Sequence, residues 1–112
     1  MGSKPRLRHA LGKFLEERTG KMQGMDLKIV DDLILLRCKD AVSPAEADIG
    51  TMKAGRLLLQ EVSERLCQEL HPDLSKLLLK LTGRRLLDIC VGIFFRRREK
   101  IYLFTMSGRV KQ

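Results

Sequence analysis

The side chains that could carry chemistry in this sequence are few and scattered along the chain. Asp31 and Asp32 are adjacent carboxylates, the type used in acid–base catalysis, but such a pair is also typical of a turn, where short carboxylates bond their own backbone. His71, beside Pro72, could relay a proton or stabilise a helix kink. We favour the structural interpretation for both, so the sequence predicts no catalytic residue and a protein that is not an enzyme.

The cysteine and glycine spacings do not form a cofactor or metal motif. Cys38, Cys67 and Cys90 are far apart, and neither histidine lies at a zinc-ligand spacing from them. Gly20 and Gly24 lack the spacing of a nucleotide-binding loop. We therefore expect no cofactor, no metal, three buried thiols that pack as small apolar side chains, and a reducing, cytoplasmic location.

Positive charge is concentrated at the two ends of the sequence. The net charge is +8, from 22 Lys and Arg against 14 Asp and Glu. Residues 1–25 and 84–112 carry the excess, and the segment between them is slightly acidic. A solvated surface is one interpretation of such a charge run, and binding of a polyanion or an anionic surface is the other. The candidate anion- or partner-binding residues are Arg84, Arg85, Arg96, Arg97, Arg98 and Lys100.

The length of 112 residues fits a single domain, with a core over about residues 4–106 and a basic tail over 107–112. The longest apolar runs are single helical turns, so no transmembrane segment and no signal peptide are expected.

The periodicity of apolar residues predicts a helix, a hairpin and a second helix start in the first half of the chain. Residues 4–19 have a helical apolar stripe, which Ser3 could cap. Residues 26–40 are predicted as a hairpin whose second strand is apolar on both faces, as in a central strand. Ser43-Pro44-Ala45-Glu46 has the pattern of a capping box, and the short helix it begins should end near Ile49.

A long helix and a second hairpin follow. The helical pattern from Thr51 to Gly83 contains an apolar stripe from Leu59 to Leu81, with a kink or one-turn break expected at His71-Pro72. Strands are predicted over 85–95 and 100–106, joined by a charged turn at 96–99. The first strand should place Leu87, Ile89, Val91, Ile93 and Phe95 on one apolar face.

These elements predict an α+β fold, with a four-stranded antiparallel or mixed sheet and helices mainly on one face. If helices cover only one face of the sheet, apolar surface on the other must meet a partner. A second copy is the simplest partner, so we expect a homodimer formed through the sheet or the long helix.

Four short motifs, in a consistent order over about nine-tenths of the chain, resemble the small bacterial MpsC family. That family is named for a proposed sodium-translocating, membrane-potential-generating system. The motifs are Thr19-Gly20-Lys21, Val30-Asp31-Asp32-Leu33-Ile34, Ser43-Pro44-Ala45-Glu46, and Leu81-Thr82-Gly83-Arg84 followed by the strand Tyr102-Leu103-Phe104-Thr105.

The resemblance implies an accessory or regulatory role beside a membrane transport or membrane-potential system, with a protein partner there. The alternative is a nucleic-acid or anionic-surface binding module that uses the basic ends of the chain.

Overall fold

Three helices and four strands make up an α+β domain in the computed structural model, which describes residues 4–111. The elements are α1 (Lys4–Thr19), β1 (Gly24–Val30), β2 (Leu33–Lys39), α2 (Pro44–Ile49), α3 (Lys53–Thr82), β3 (Leu86–Phe94) and β4 (Glu99–Met106). The predicted order and fold class are confirmed. Ser3, the predicted cap of α1, lies outside the described residues.

The four strands form one sheet in the order β1-β2-β4-β3, with every neighbouring pair antiparallel. The two hairpins are joined by the pairing of β2 with β4, which sets Ile34 opposite Phe104 and Leu36 opposite Tyr102. β2 is therefore a central strand, as its two apolar faces predicted, and the mixed-sheet alternative is wrong.

The core lies between one face of this sheet and the helices. α1 contributes Leu7, Leu11 and Leu15, and α3 contributes Cys67, Leu74 and Leu78. Alternate side chains of all four strands meet them, because successive residues of a strand point to opposite faces. The buried strand residues are Leu27, Ile29, Ile34, Leu36, Cys38, Leu86, Val91, Tyr102, Phe104 and Met106.

The ends of the two helices that follow the first hairpin show the predicted capping. The Ser43 hydroxyl accepts a hydrogen bond from the Glu46 backbone N–H at 3.2 Å, and the Ser43 backbone N–H donates to Glu46 Oε1 at 3.0 Å. At the end of α3, Gly83 has a left-handed φ of 73°, which a residue with a Cβ adopts at a cost.

The predicted break at Pro72 is absent. The helix α3 continues without interruption from Lys53 to Thr82. Proline removes only its own N–H from the helical hydrogen bonds, and Pro72 lies on the exposed side, where water can hydrate the carbonyl left without a donor. Burial of Cys67 and Leu74 on either side of it holds the two halves of the helix to the same core.

The predicted apolar stripe of α3 is buried only in its C-terminal half. Leu74 is buried, but Val62 is 53% exposed. The start of α3 still lies beside β3, because Gln60 Nε2 donates to the Val91 carbonyl at 2.6 Å, but one side of the helix there is turned away from the sheet. It leaves Leu57, Leu58 and Val62 exposed.

A β-bulge at the start of β3 reverses the predicted alternation there. The register shifts between Leu86 and Asp88, so Leu86 is buried and Leu87 is 56% exposed. Phe95, predicted to end the apolar face of the strand, lies instead in the following turn, with its ring packed against Gly50.

Residues 107–111 are not a free tail. The Val110 side chain is buried, and its backbone N–H donates to the Asp31 carbonyl at 2.8 Å. The Met106 N–H makes a matching bond to the Asp32 carbonyl at 2.8 Å. The segment after β4 therefore packs against the β1–β2 turn, which contributes to the fold.

The bulge predicts that alanine substitutions of two neighbouring leucines differ strongly in their effect on stability. Leu86→Ala should lower the free energy of unfolding by about 2–4 kcal/mol because it leaves a cavity in the core. Leu87→Ala should change it by no more than about 0.5 kcal/mol. Urea denaturation followed by circular dichroism measures both, and a larger cost for Leu87→Ala would contradict the observed register.

Candidate functional site

The six residues predicted to bind an anion do not lie together. Arg84 and Arg85 precede β3 at one end of the sheet, and Arg96, Arg97 and Arg98 follow it at the other. The length of β3 separates the two groups by about 26 Å.

Three of these six side chains are held by contacts within the domain. Arg84 Nε donates to the Arg109 carbonyl at 3.1 Å, and Arg98 Nε donates to the Val42 carbonyl at 3.1 Å. Lys100 lies on the helix-covered side of the sheet, with Nζ 3.7 Å from Glu46 Oε2 and a side chain that is 12% exposed. Anion binding by Arg85, Arg96 and Arg97 stays a prediction.

The Glu46 carboxylate links α2 to the sheet. Burial raises its pKa, but the Ser43 backbone N–H and the Lys100 ammonium, which favour the charged form, bring it below the ordinary value. The ion pair between Lys100 and Glu46 therefore helps to hold the capping box of α2 next to the sheet.

Two of the three cysteines are buried as predicted, and the third is not. Burial raises the pKa of the Cys38 thiol to about 12 and that of the Cys67 thiol to about 11, so both are protonated and unreactive. Cys90 is exposed, because β3 is an edge strand and Cys90 points away from the helices.

The two adjacent carboxylates are turn residues, as predicted. Asp31 has a left-handed φ of 54°, a conformation that Asp tolerates better than most residues. Among residues 4–111, no group of three or more His, Cys, Asp or Glu side chains is placed to hold a metal ion.

The sheet face opposite the helices is only partly covered, and we call it the open face. Its central residues are Leu33 and Leu35 of β2 and Ile101 and Leu103 of β4, which pair across the two strands as Leu35 with Leu103. All four side chains are partly exposed, whereas their neighbours Ile34, Leu36, Tyr102 and Phe104 are buried. Cys90, opposite Leu103, and the exposed Phe94 extend the open face onto β3.

A charged pair is set into the open face. Arg37 of β2 forms a bidentate contact with Glu99 of β4, with distances of 3.2 Å from Nε to Oε1 and 2.9 Å from Nη2 to Oε2. The Glu99 side chain is 9% exposed, and its hydrogen bond raises the pKa of the Arg37 guanidinium. The sequence placed Glu99 in the charged turn, but it begins β4.

A groove with a volume of about 980 Å³ crosses the open face beside this pair. Its apolar floor includes Leu35, Ile101 and Phe94. Its other lining residues are Lys4 and Arg8 of α1, Asp26, Leu27 and Lys28 of β1, Arg37, Arg97 of the β3–β4 turn, and Glu99.

Sequence reasoning missed this groove, although part of its signal was present. Both faces of β2 are apolar in sequence, and Ile101 and Leu103 repeat that pattern in β4. The basic residues that line the groove come from four separate elements, and only the fold brings Lys4, Lys28 and Arg97 to one place.

Comparison with protein families supports the resemblance that the four motifs indicated. Residues 4–108 match the family described as the Na+-translocating membrane potential-generating system (MpsC). The chain belongs to the MpsC family. No curated protein and no solved structure gives a significant match to this MpsC protein. Among its described helices, none is both long enough and apolar enough to cross a membrane.

The charged pair of this MpsC protein predicts a loss of stability when it is broken. Arg37→Met leaves the buried Glu99 carboxylate without its partner, which should cost about 1–3 kcal/mol at pH 7.

Urea denaturation of the original protein and of Arg37→Met at pH 7 measures this difference. The double variant Arg37→Met with Glu99→Leu serves as the control, because it removes the buried charge. A deficit that is unchanged in the double variant would contradict the role assigned to the pair.

Proposed function

We propose that this protein is a non-enzymatic accessory subunit that docks on another protein of a sodium-translocating, membrane-potential-generating system. The family description supplies the link to that system. The observation that supports docking is the open face, where Leu33, Leu35, Ile101 and Leu103 form an apolar surface without a covering layer of helices. A contiguous apolar surface of this kind marks an interaction site.

We also propose that the protein works in the cytoplasm. Its three cysteines are free, which is typical of a reducing compartment. If the protein docks from the cytoplasm, its basic side chains face the cytoplasmic segments of a membrane protein. Those segments can carry the complementary charge.

Binding of nucleic acid or of another anionic surface is the second candidate function. Arg96 and Arg97 are exposed at the β3–β4 turn, which favours contact with phosphate. Of the two aromatic residues considered for base stacking, Tyr102 is buried and only Phe94 is exposed. One exposed ring and two separated arginine groups give this candidate weaker support than docking.

We further propose that self-association uses the exposed start of α3. Leu57, Leu58 and Val62 are each more than half exposed there. In a dimer formed by two open faces, the basic side chains at the edges of one copy would lie against those of the other, and like charges repel. The apolar surface of α3 lies at a distance from Lys28 and Arg97. The long-helix contact is therefore favoured over the sheet contact for a homodimer.

Sedimentation equilibrium at micromolar concentration tests the dimer. We expect a mass twice the 12.8 kDa of one chain and a return to the monomer mass in Leu58→Glu with Val62→Glu. The matched control is Leu35→Glu with Leu103→Glu, which should remain dimeric. A monomer mass for the unchanged protein would contradict self-association, and loss of the dimer in the control would move the contact to the sheet.

A deletion strain of the host organism tests the accessory role. Loss of the gene should reduce the sodium-dependent membrane potential measured with a potential-sensitive dye, and the unchanged gene should restore it. Leu35→Asp with Leu103→Asp should fail to restore it, because a charged floor cannot dock. Leu79→Asp, on the exposed side of α3, should restore it fully.

Exposed Cys90 gives an independent measurement of docking in the same cells. Its alkylation by a maleimide should be several-fold slower in cells than in the purified protein, because the partner covers the open face. Equal alkylation rates together with an unchanged membrane potential in the deletion strain would contradict the proposed function.

A further inference from the structure

The groove on the open face combines an apolar floor with unneutralised positive charge. Its lining has five basic and two acidic side chains. Both acidic side chains are already paired, Asp26 with Lys39 at 3.3 Å and Glu99 with Arg37 at 2.9 Å. Lys4, Lys28 and Arg97 make no ion pair with any other residue of the 4–111 range. The groove therefore presents positive charge that only an external group can neutralise.

The positive side chains lie around the apolar floor. Lys4 and Arg8 come from α1, which runs along β1, and Arg8 Nε is held by the Met25 carbonyl at 3.0 Å. Arg97 comes from the β3–β4 turn beyond Phe94. An occupant with an apolar side and acidic flanks would satisfy the floor and the surrounding charges together.

The floor also determines the backbone conformation of its occupant. Leu35 and Ile101 belong to β2 and β4, whose backbone groups already bond to neighbouring strands on both sides. At these two residues the floor thus has no free backbone donors or acceptors, and a peptide bound over them must satisfy its own backbone hydrogen bonds. A helix does so, whereas an extended strand would need a free sheet edge.

The open face is wide enough to hold one helix. Four strands at about 4.8 Å spacing make a surface about 14 Å wide, and a helix with its side chains is about 10 Å in diameter. A second copy is disfavoured at this position, because it would bring an equally basic groove against the first.

We propose that the groove binds an acidic amphipathic helix of a partner protein. Its apolar side chains pack on Leu35, Ile101 and Phe94, and its Asp and Glu side chains pair with Lys4, Lys28 and Arg97. This inference rests on the proposed docking function and specifies the chemistry of the partner.

Fluorescence anisotropy with two synthetic peptides tests the inference. The first is a labelled 18-residue helix with Leu at positions i, i+3, i+4 and i+7 and Glu on both flanks, and the second has Lys in place of every Glu. The acidic peptide should bind at least tenfold more tightly than the basic one. Equal affinities, or no binding of the acidic peptide, would overturn the proposal.

Charge-reversal variants locate the binding. Lys28→Glu with Arg97→Glu should weaken binding of the acidic peptide at least tenfold, because it reverses the charge at two positions around the groove. Lys76→Glu with Lys80→Glu changes the net charge equally on exposed positions of α3 and should alter the affinity less than twofold. Equal losses in the two variants would show net-charge attraction only and would overturn the proposal.

Two further probes distinguish other occupants. The first probe is a vesicle of phosphatidylcholine and phosphatidylglycerol, and the second is a DNA duplex. If either binds more tightly than the acidic peptide and loses affinity for Lys28→Glu with Arg97→Glu, the groove binds phosphate groups instead, and the helix proposal is overturned. Failure of the peptide while Cys90 remains protected in cells would reject the helix and leave the docking function intact.

Discussion

The pairing of β2 with β4 is the constraint on which the rest of the structure depends. Each hairpin alone is marginal in water, because two strands cannot bury enough apolar surface. Joining them creates a four-stranded sheet, and α1 and α3 cover one face of it. The contact between Arg37 and Glu99, 62 residues apart in sequence, reinforces this pairing on the other face.

The same pairing explains why one chain contains both a well-packed core and an unsatisfied surface. A strand in the middle of a sheet has two faces, and the side chains of β2 and β4 are apolar on both. The helices cover only one of these faces, the core side, where Phe104 and Leu36 are fully buried. The second apolar face remains as a surface that a monomer does not cover.

Much of the fold could be predicted from local sequence patterns, since caps and periodicity act over a few residues. The capping box at Ser43, the end of α3 at Gly83 and both hairpins are examples. The bulge at Leu86 and the exposure of the first half of the α3 stripe could not, because tertiary packing decides them. The groove was beyond local patterns for the same reason: Lys4, Lys28 and Arg97 are neighbours only after folding. The charge asymmetry was visible in sequence, and so were the arginines that flank the predicted strand 85–95.

The buried Val110 has a consequence for how the molecule is made. Its hydrogen bond to Asp31 and that of Met106 to Asp32 connect residues near the end of this sequence to the first turn of the sheet. During synthesis on the ribosome the first hairpin emerges early, but its apolar faces have no partner strand until β4 has left the exit tunnel. The nascent chain therefore exposes aggregation-prone strands until β4 emerges, which makes it a natural client for chaperones that bind emerging polypeptides.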